Sequence, residues 1–303
     1  MKALFLSTGS GETEKYAESL TSCMPCVVTW LAYDSPGVTE ASLYASAKAA
    51  APDFIVYIGS RWGLQPSIST LATINEKIAP MIHLCSDAAD VPWHDLLRDY
   101  DRGSAFALQV TIDGNPNWPG ADRGLTLLTP IAASHFPQPL PHAVRPIACS
   151  YAGNKGSEGG GRRMILTELM FENLLTIRVR DGGLDGYGGY CDHLIRSRMT
   201  LNVPLSGTEQ AMQVKGRVVE AGLAGAALLE MGGAPTKNWF RPGIDYMEYA
   251  TIQDAAMLIR EFTQRPDKTQ AMGESLRARV LAEHSPTVFW GKIMERIGLK
   301  VAA

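Results

Sequence analysis

The strongest chemical pattern in the chain is the run Lys215-Gly216-Arg217-Val218-Val219-Glu220. Its spacing predicts a helix beginning near position 214, which puts Arg217 and Glu220, three apart, on one face. Two cations at a helix N-terminus suit a diphosphate, because side-chain charge and helix dipole act in the same sense. A carboxylate one turn further on can accept two ribose hydroxyls. The same spacing also describes an ordinary solvated face, where an Arg–Glu pair contributes roughly a few tenths of a kcal/mol.

A second group sits where strands end in the first third. Ser7-Thr8-Gly9-Ser10-Gly11-Glu12-Thr13-Glu14 joins a strand to a helix, and such a turn offers backbone N–H groups to an anion or a sugar hydroxyl. It is neither G-x-G-x-x-G nor a Walker loop. It resembles the hydroxyl-rich phosphate loop of flavodoxins, although Glu12 and Glu14 would repel a phosphate; a plain tight turn needs the same glycines. Asp87 follows the strand 81–84, with Asp90, Trp93 and His94 close by in sequence. A carboxylate there can act as general base on an acceptor hydroxyl, and Glu12 competes for that role. Asp90 suits the N-cap of the helix 91–97 better than Asp87 does. Arg61 and Trp62 follow Gly59, and the indole can stack on a sugar or base or simply pack in a core.

Metal and redox signals are weak. Cys23-x-x-Cys26 has no second pair, and Met24-Pro25 reads as a turn. Arg178-Val179-Arg180-Asp181 with Asp185, Asp192 and His193 lacks the ligand spacing of a calcium loop. We expect no metal site.

These residues must be positioned by a regular scaffold. Short apolar strands alternate with helices from residue 2 to 84, with further strands at 105–112 and 125–128, which predicts a parallel sheet covered on both faces. The stretch 129–146 holds Pro130, Pro137, Pro139, Pro141 and Pro146 and reads as a semi-rigid linker. A second α/β unit follows. Its strands are expected at 147–151, 177–179, 199–203 and 226–229, with helices at 163–174, 191–198, 214–224, 251–264, 268–282 and 286–297. The Gly-rich stretch 181–189 reads as loop, and Gly222 and Gly225 as allowing close helix–strand packing. The expected domains are 1–135 and 136–303, with the last helix able to cross back to the first. Ligands of such sheets sit beyond the carboxyl ends of the strands.

Composition limits the partners. The 303 residues are 46% apolar and 19% charged with a net charge of -3, so a disordered chain and a bulk polyanion binder are both disfavoured. No apolar stretch reaches the roughly 18 residues of a membrane span. No secretory leader is apparent, and 5 cysteines, sparse and odd in number, fit a reducing cytoplasm.

Ordered blocks carry a family resemblance. Tyr190, Ser197-Arg198-Met199-Thr200-Leu201-Asn202-Val203, and Lys215-Gly216-Arg217-x-x-Glu220-Ala221-x-x-Ala224-Gly225-Ala226-x-Leu228-Leu229-Glu230 recur in the order of the C-terminal domain of GT-B glycosyltransferases. The nearest subgroup is the CgeB-like "glycosyl transferases group 1" set. Phe240-x-Pro242-Gly243-Ile244-Asp245-Tyr246-x-Glu248-Tyr249 and Ala282-Glu283-His284-Ser285-x-x-x-Phe289-Trp290 continue it, over about 147–295. Pro52-Asp53, Asp87-Ala88 and Asp113-Gly114 resemble the family more faintly.

The resemblance implies two tandem Rossmann-like domains facing across a cleft, the first for acceptor and the second for a nucleotide-sugar donor. It implies sugar transfer to an acceptor hydroxyl without a catalytic metal or cofactor. The donor would be a co-substrate, a UDP-sugar first among the choices, and the acceptor a glycan, a small molecule or a modified nucleic-acid base. Glu220 falls where the ribose-binding glutamate lies. Lys215, Arg217, Gly153, Asn154, Lys155 and Arg162 or Arg163 fall near the diphosphate. Gly9, Ser10, Gly11, Arg61 and Trp62 fall on the acceptor side, with Asp87 or Glu12 as base. Retaining members carry E-x7-E, but position 212 is Met212 and Glu209 lies three residues before it, so retention or inversion stays open. A nucleotide-sugar epimerase or hydrolase on the same fold, and a flavodoxin-like flavin-binding module, are the alternatives.

Overall fold

The computed structural model describes residues 1–8, 12–59, 65–102, 105–118, 122–178 and 186–299; for 12–13, 91–93 and 101–102 it describes the backbone. The chain divides into two units, Met1–Ala132 with Pro286–Ala303, and Ala133–Ser285.

The first unit runs β1 (Lys2–Ser7), α1 (Glu12–Cys23), β2 (Val27–Ala32), α2 (Glu40–Ala50), β3 (Phe54–Ile58), α3 (Ile68–Lys77), β4 (Met81–Cys85), α4 (Val91–Arg102), β5 (Leu108–Thr111) and β6 (Leu125–Thr126). Among the described residues these strands form one six-stranded sheet, ordered β2-β1-β3-β4-β5-β6, with every pairing parallel. The central strands are buried on both faces, which is why Ala3-Leu4-Phe5-Leu6 and Phe54-Ile55-Val56-Tyr57 are unbroken apolar runs. The helices start where side chains satisfy their first N–H groups. Thr39 and Ser42 form a capping box on α2, and Ser67 caps α3.

The C-terminal helix Pro286–Arg296 belongs to this first unit. Its Phe289, Trp290, Ile293 and Met294 join Phe5, Leu20, Val56 and Leu84 in one buried cluster. Trp290 is fully buried, and its indole N–H donates to Ser19 Oγ at 2.9 Å.

The second unit runs β7 (Ile147–Ala152), α5 (Gly161–Phe171), β8 (Thr176–Arg178), α6 (Gly186–Ile195), β9 (Ser197–Asn202), α7 (Gly216–Leu223), β10 (Ala227–Met231), β11 (Tyr246–Tyr249), α8 (Ile252–Thr263) and α9 (Pro266–Glu283). Its described strands form a parallel sheet ordered β11-β10-β9-β7-β8. Among the described residues of the chain, no helix is long and apolar enough to cross a membrane.

Four sequence expectations change. Gly186–Gly189, expected as loop, are the first turn of α6. The aromatic and apolar residues Tyr187, Tyr190, Cys191 and Leu194 recur at helical spacing, and burying that stripe outweighs the poor helix propensity of glycine. The proline-rich stretch is docked rather than a bare linker. Arg145, 1% exposed, donates to the carbonyls of Leu140, Ser197 and Ala224, and His142 Nε2 lies 2.8 Å from Gly225 O. Gly222, at the end of α7, meets a helix rather than a strand, since a Cβ on it would stand 2.7 Å from Val280 in α9, and one on Gly225 would meet Pro139 and Arg145. Strand β11, which carries its own buried Tyr246 and Tyr249, was not anticipated.

Trp290→Ala removes the largest buried side chain of the returning helix. It is expected to cost about 3–5 kcal/mol, read as a lowered urea midpoint by far-UV circular dichroism.

Candidate functional site

The second unit's strand order reverses at β7. The chain goes from β7 to β8 on one side, then to β9 on the other. The carboxyl ends of β7 and β9 therefore flank a switch point, where open α/β sheets bind ligands. Arg217 occupies it. Its Nε donates to the carbonyl of Ala152, the last residue of β7. Its Nη1 donates to Asn202 Oδ1, at the end of β9, at 2.6 Å. The guanidinium lies over the Tyr151 ring, 4.2 Å from the centroid. Burial works against its charge, but Tyr151, Tyr190 and Glu220 more than offset this and its pKa is raised.

Glu220 lies one turn further along α7 and is 6% exposed. Its two oxygens accept from the hydroxyls of Tyr187 at 2.8 Å and Tyr190 at 2.6 Å. The two phenol rings stack, with centroids 5.6 Å apart, and His135 meets Tyr187 edge-on. Burial and the neighbouring carboxylate push the Tyr187 phenol far up, so it remains a donor. The Arg–Glu ion pair that the spacing allowed is not what forms. Arg217 turns to the sheet and Glu220 to α6.

Behind Arg217 the network continues. Asn202 Nδ2 donates to both oxygens of Glu230, at 3.0 and 2.9 Å, and Thr236 Oγ1 donates to one of them at 3.1 Å. Glu230 is fully buried, and burial pushes its carboxyl up to about 8. Tyr187, Asn202 and Glu230 were not singled out from sequence as site residues. A carboxylate inside the apolar run Ala226-Ala227-Leu228-Leu229-Glu230 was the available signal for the last.

The other expected donor residues fall as follows. Gly153, φ 139°, leaves β7 directly under Arg217, and a Cβ there would collide with the guanidinium. Asn154 shapes the next turn, its Oδ1 accepting from Gly156 N at 2.8 Å and its carbonyl from Tyr151 at 2.6 Å. Lys155 lines a groove of about 220 Å³ with Arg163, Leu166, Met170, Phe171 and Ile177. Lys215 is the N-cap of α7, whose end has no side-chain cap. Arg162 points elsewhere: it is buried, and its Nη2 donates to the carbonyls of Leu205 and Ser206 in the loop before α7. Glu209, in the same loop, has φ 59° and accepts from Gly161 N at 2.7 Å. It thus supplies a carboxylate at the N-terminus of α5 from within the chain.

In the first unit the order reverses between β1 and β3. Glu12 starts α1. Gly9, Ser10, Gly11, Arg61 and Trp62 lie outside the described residues, as do Val179, Arg180, Asp181 and Asp185. Asp87 follows β4 with φ 59°, and its carbonyl accepts from Asp90 N at 2.9 Å. Asp113 ties this turn to β5, accepting from Ala89 N at 3.0 Å and Thr111 Oγ1 at 2.7 Å. Cys23 and Cys26 are free thiols, and burial pushes Cys23 up to about 11. Among the described residues, no group of three or more His, Cys, Asp or Glu is placed to hold a metal ion.

Residues 162–295 match a family model described as glycosyl transferase-like. A comparison with curated protein sequences gave no match. Solved structures match over nearly the whole chain. HepE from Anabaena, in complex with UDP and glucose, is 13% identical with a TM-score of 0.68, over 98% of this chain and 99% of that one. An alpha-glucosyltransferase in complex with UDP and a 13-mer DNA is 9% identical with a TM-score of 0.66, over 98% and 100%. Sucrose-phosphate synthase from Thermosynechococcus elongatus is 10% identical with a TM-score of 0.63, over 98% and 99%. The chain has the GT-B fold, with two parallel-sheet units, and the glycosyl transferase-like pattern covers most of its second unit and the helix that follows it. These matches do not favour the epimerase or flavin-module alternatives.

Gly153→Ala is expected to push the Arg217 guanidinium off the Ala152 carbonyl and to cost about 1–3 kcal/mol of backbone strain. The Arg217 Nε–Hε resonance should move toward the position of a solvated arginine.

Proposed function

We propose that the chain moves a sugar from a nucleoside-diphosphate donor to an acceptor hydroxyl, with the donor held by the second unit and the acceptor by the first. Its fold and its second-unit family pattern are those of enzymes that transfer sugars. The observation that carries the reading is the state of Arg217. It is a buried guanidinium at a switch point, held by a carbonyl, an amide oxygen and an aromatic face. Among the described residues no carboxylate forms an ion pair with it. Such a charge is available to a diphosphate, and the N-terminus of α7 with Lys215 adds to it.

Glu220, one turn away, supplies the two acceptor oxygens that a ribose diol needs. Solved structures of this fold hold UDP or UDP-glucose, which makes a UDP-sugar the leading donor. Developing negative charge on the leaving diphosphate would be met by Arg217, Lys215 and the helix end, an arrangement that requires no catalytic metal. Gly153 and Asn154 would shape the wall behind the diphosphate, with Lys155 at its edge.

On the acceptor side, a base is needed only if the reaction inverts. Asp87, after β4, takes that role in this reading, with Glu12 as the alternative. Gly9, Ser10, Gly11, Arg61 and Trp62, which follow β1 and β3 in sequence, would contact the acceptor. A glycan, a small molecule and a modified nucleic-acid base all present the required hydroxyl. One neighbour of the same fold was solved with DNA.

Arg217→Ala and Glu220→Ala are each expected to weaken UDP binding by about 10–100-fold in calorimetry, the range for losing a charge-assisted hydrogen bond. Native affinity in both variants would place the donor site elsewhere.

A further inference from the structure

Asn202 divides its amide between two ionisable partners. A guanidinium can only donate, so Arg217 fixes Oδ1 on its own side and leaves Nδ2 pointing the other way. There it meets Glu230, which accepts it through both carboxyl oxygens. Thr236 anchors Glu230 from beyond, and the Tyr249 hydroxyl holds the Asn202 carbonyl at 2.8 Å. A carboxyl in a dry strand is costly for folding, and an apolar side chain there would avoid the cost. What the carboxyl provides is an acceptor that orients Asn202.

We propose that Glu230 is a positioning residue for the donor site: through Asn202 it holds the Arg217 guanidinium against the end of β7, and its proton sets how strongly that guanidinium draws an anion. The proposal rests on the reading that Arg217 meets the donor diphosphate.

The charge step follows from the surroundings. The titratable groups that act on Glu230 are Arg217 from α7 and Tyr246 and Tyr249 from β11; Tyr246 in turn donates to Glu248 at 3.1 Å. Burial raises both phenols, so they stay neutral near physiological pH, and Arg217 stays charged. Glu230 is then the member whose charge changes, near pH 8. Below that pH the carboxyl is neutral and adds no negative charge beside the guanidinium. Above it a buried anion sits one amide away and competes with any ligand phosphate. Anion affinity therefore falls as pH rises through about 8.

The test is calorimetry of UDP on the full chain at pH 6.5 and pH 9, for the native chain, E230Q, E230L, R217Q and E230L/R217Q, with pH effects read as ratios to the native chain so that the titration of UDP cancels. E230L is expected to bind UDP at least about tenfold more weakly at pH 6.5. E230Q keeps an acceptor for Asn202 and should recover most of that loss. Because it carries no ionisable proton, E230Q should also gain on the native chain between pH 6.5 and pH 9. The double variant should be no weaker than R217Q alone. The proposal is overturned if E230L binds as the native chain does while R217Q loses affinity, if E230Q is as weak as E230L, or if the two losses add. E230Q is isosteric, so its pH comparison decides the matter even if E230L does not fold. If R217Q itself binds UDP at native strength, the donor reading fails first, and the proposal falls with it.

Discussion

One buried cation organises the second unit. Arg217 reaches from the first turn of α7 to the ends of two strands that neighbour each other but are not consecutive in the chain. A guanidinium is the side chain that can do this, because its planar fork presents several donors at fixed angles and keeps its charge when buried. Each hydrogen-bond partner is an oxygen without formal charge, so the geometry is satisfied while no carboxylate is bound to the guanidinium. That separation of geometric from electrostatic satisfaction makes the position useful for an anionic ligand.

Much of the surroundings serves to keep that arginine in place. Gly153 gives it room, Tyr151 gives it a face, and Asn202 and Glu230 give it a direction. Glu220 is held in the same way from the other side, by two phenols mounted on a single short helix. Loop 204–215 is pinned by Arg162 and Glu209 to the start of α5, so the approach to α7 is set by contacts from a neighbouring βα unit. The arrangement is preorganised: the polar groups have settled partners before any ligand arrives, which lowers the ordering cost of binding.

The sequence made Lys215, Arg217 and Glu220 legible because helical spacing and charge are local signals. The alternation of strands and helices was legible for the same reason, since each parallel strand needs its own apolar run and its own crossover. Tyr187 was not legible, because the five glycines of 181–189 argue for loop and only the packed stripe reveals the helix. Asn202 and Glu230 were hidden differently. They occupy strand ends whose sequence reads as core, and their meaning depends on which strand lies beside which. Arg162 shows the limit from the other direction. Its place in the chain put it near a phosphate, yet a long side chain has several reachable carbonyls, and the fold chose two of them.

The helix Pro286–Arg296 also orders events in time. Its Trp290 meets Ser19 across 271 positions of sequence, whereas the second unit is one uninterrupted segment. A ribosome delivers the strands of the first sheet early, but the residues that seal their core emerge only after all of Ala133–Ser285. The second unit can therefore complete itself while the first waits, part of its apolar surface uncovered until the helix Pro286–Arg296 has been made. For the same reason the chain cannot be divided at residue 132 into two sound halves. The fragment on the C-terminal side would carry away a helix whose tryptophan fills the core of the other.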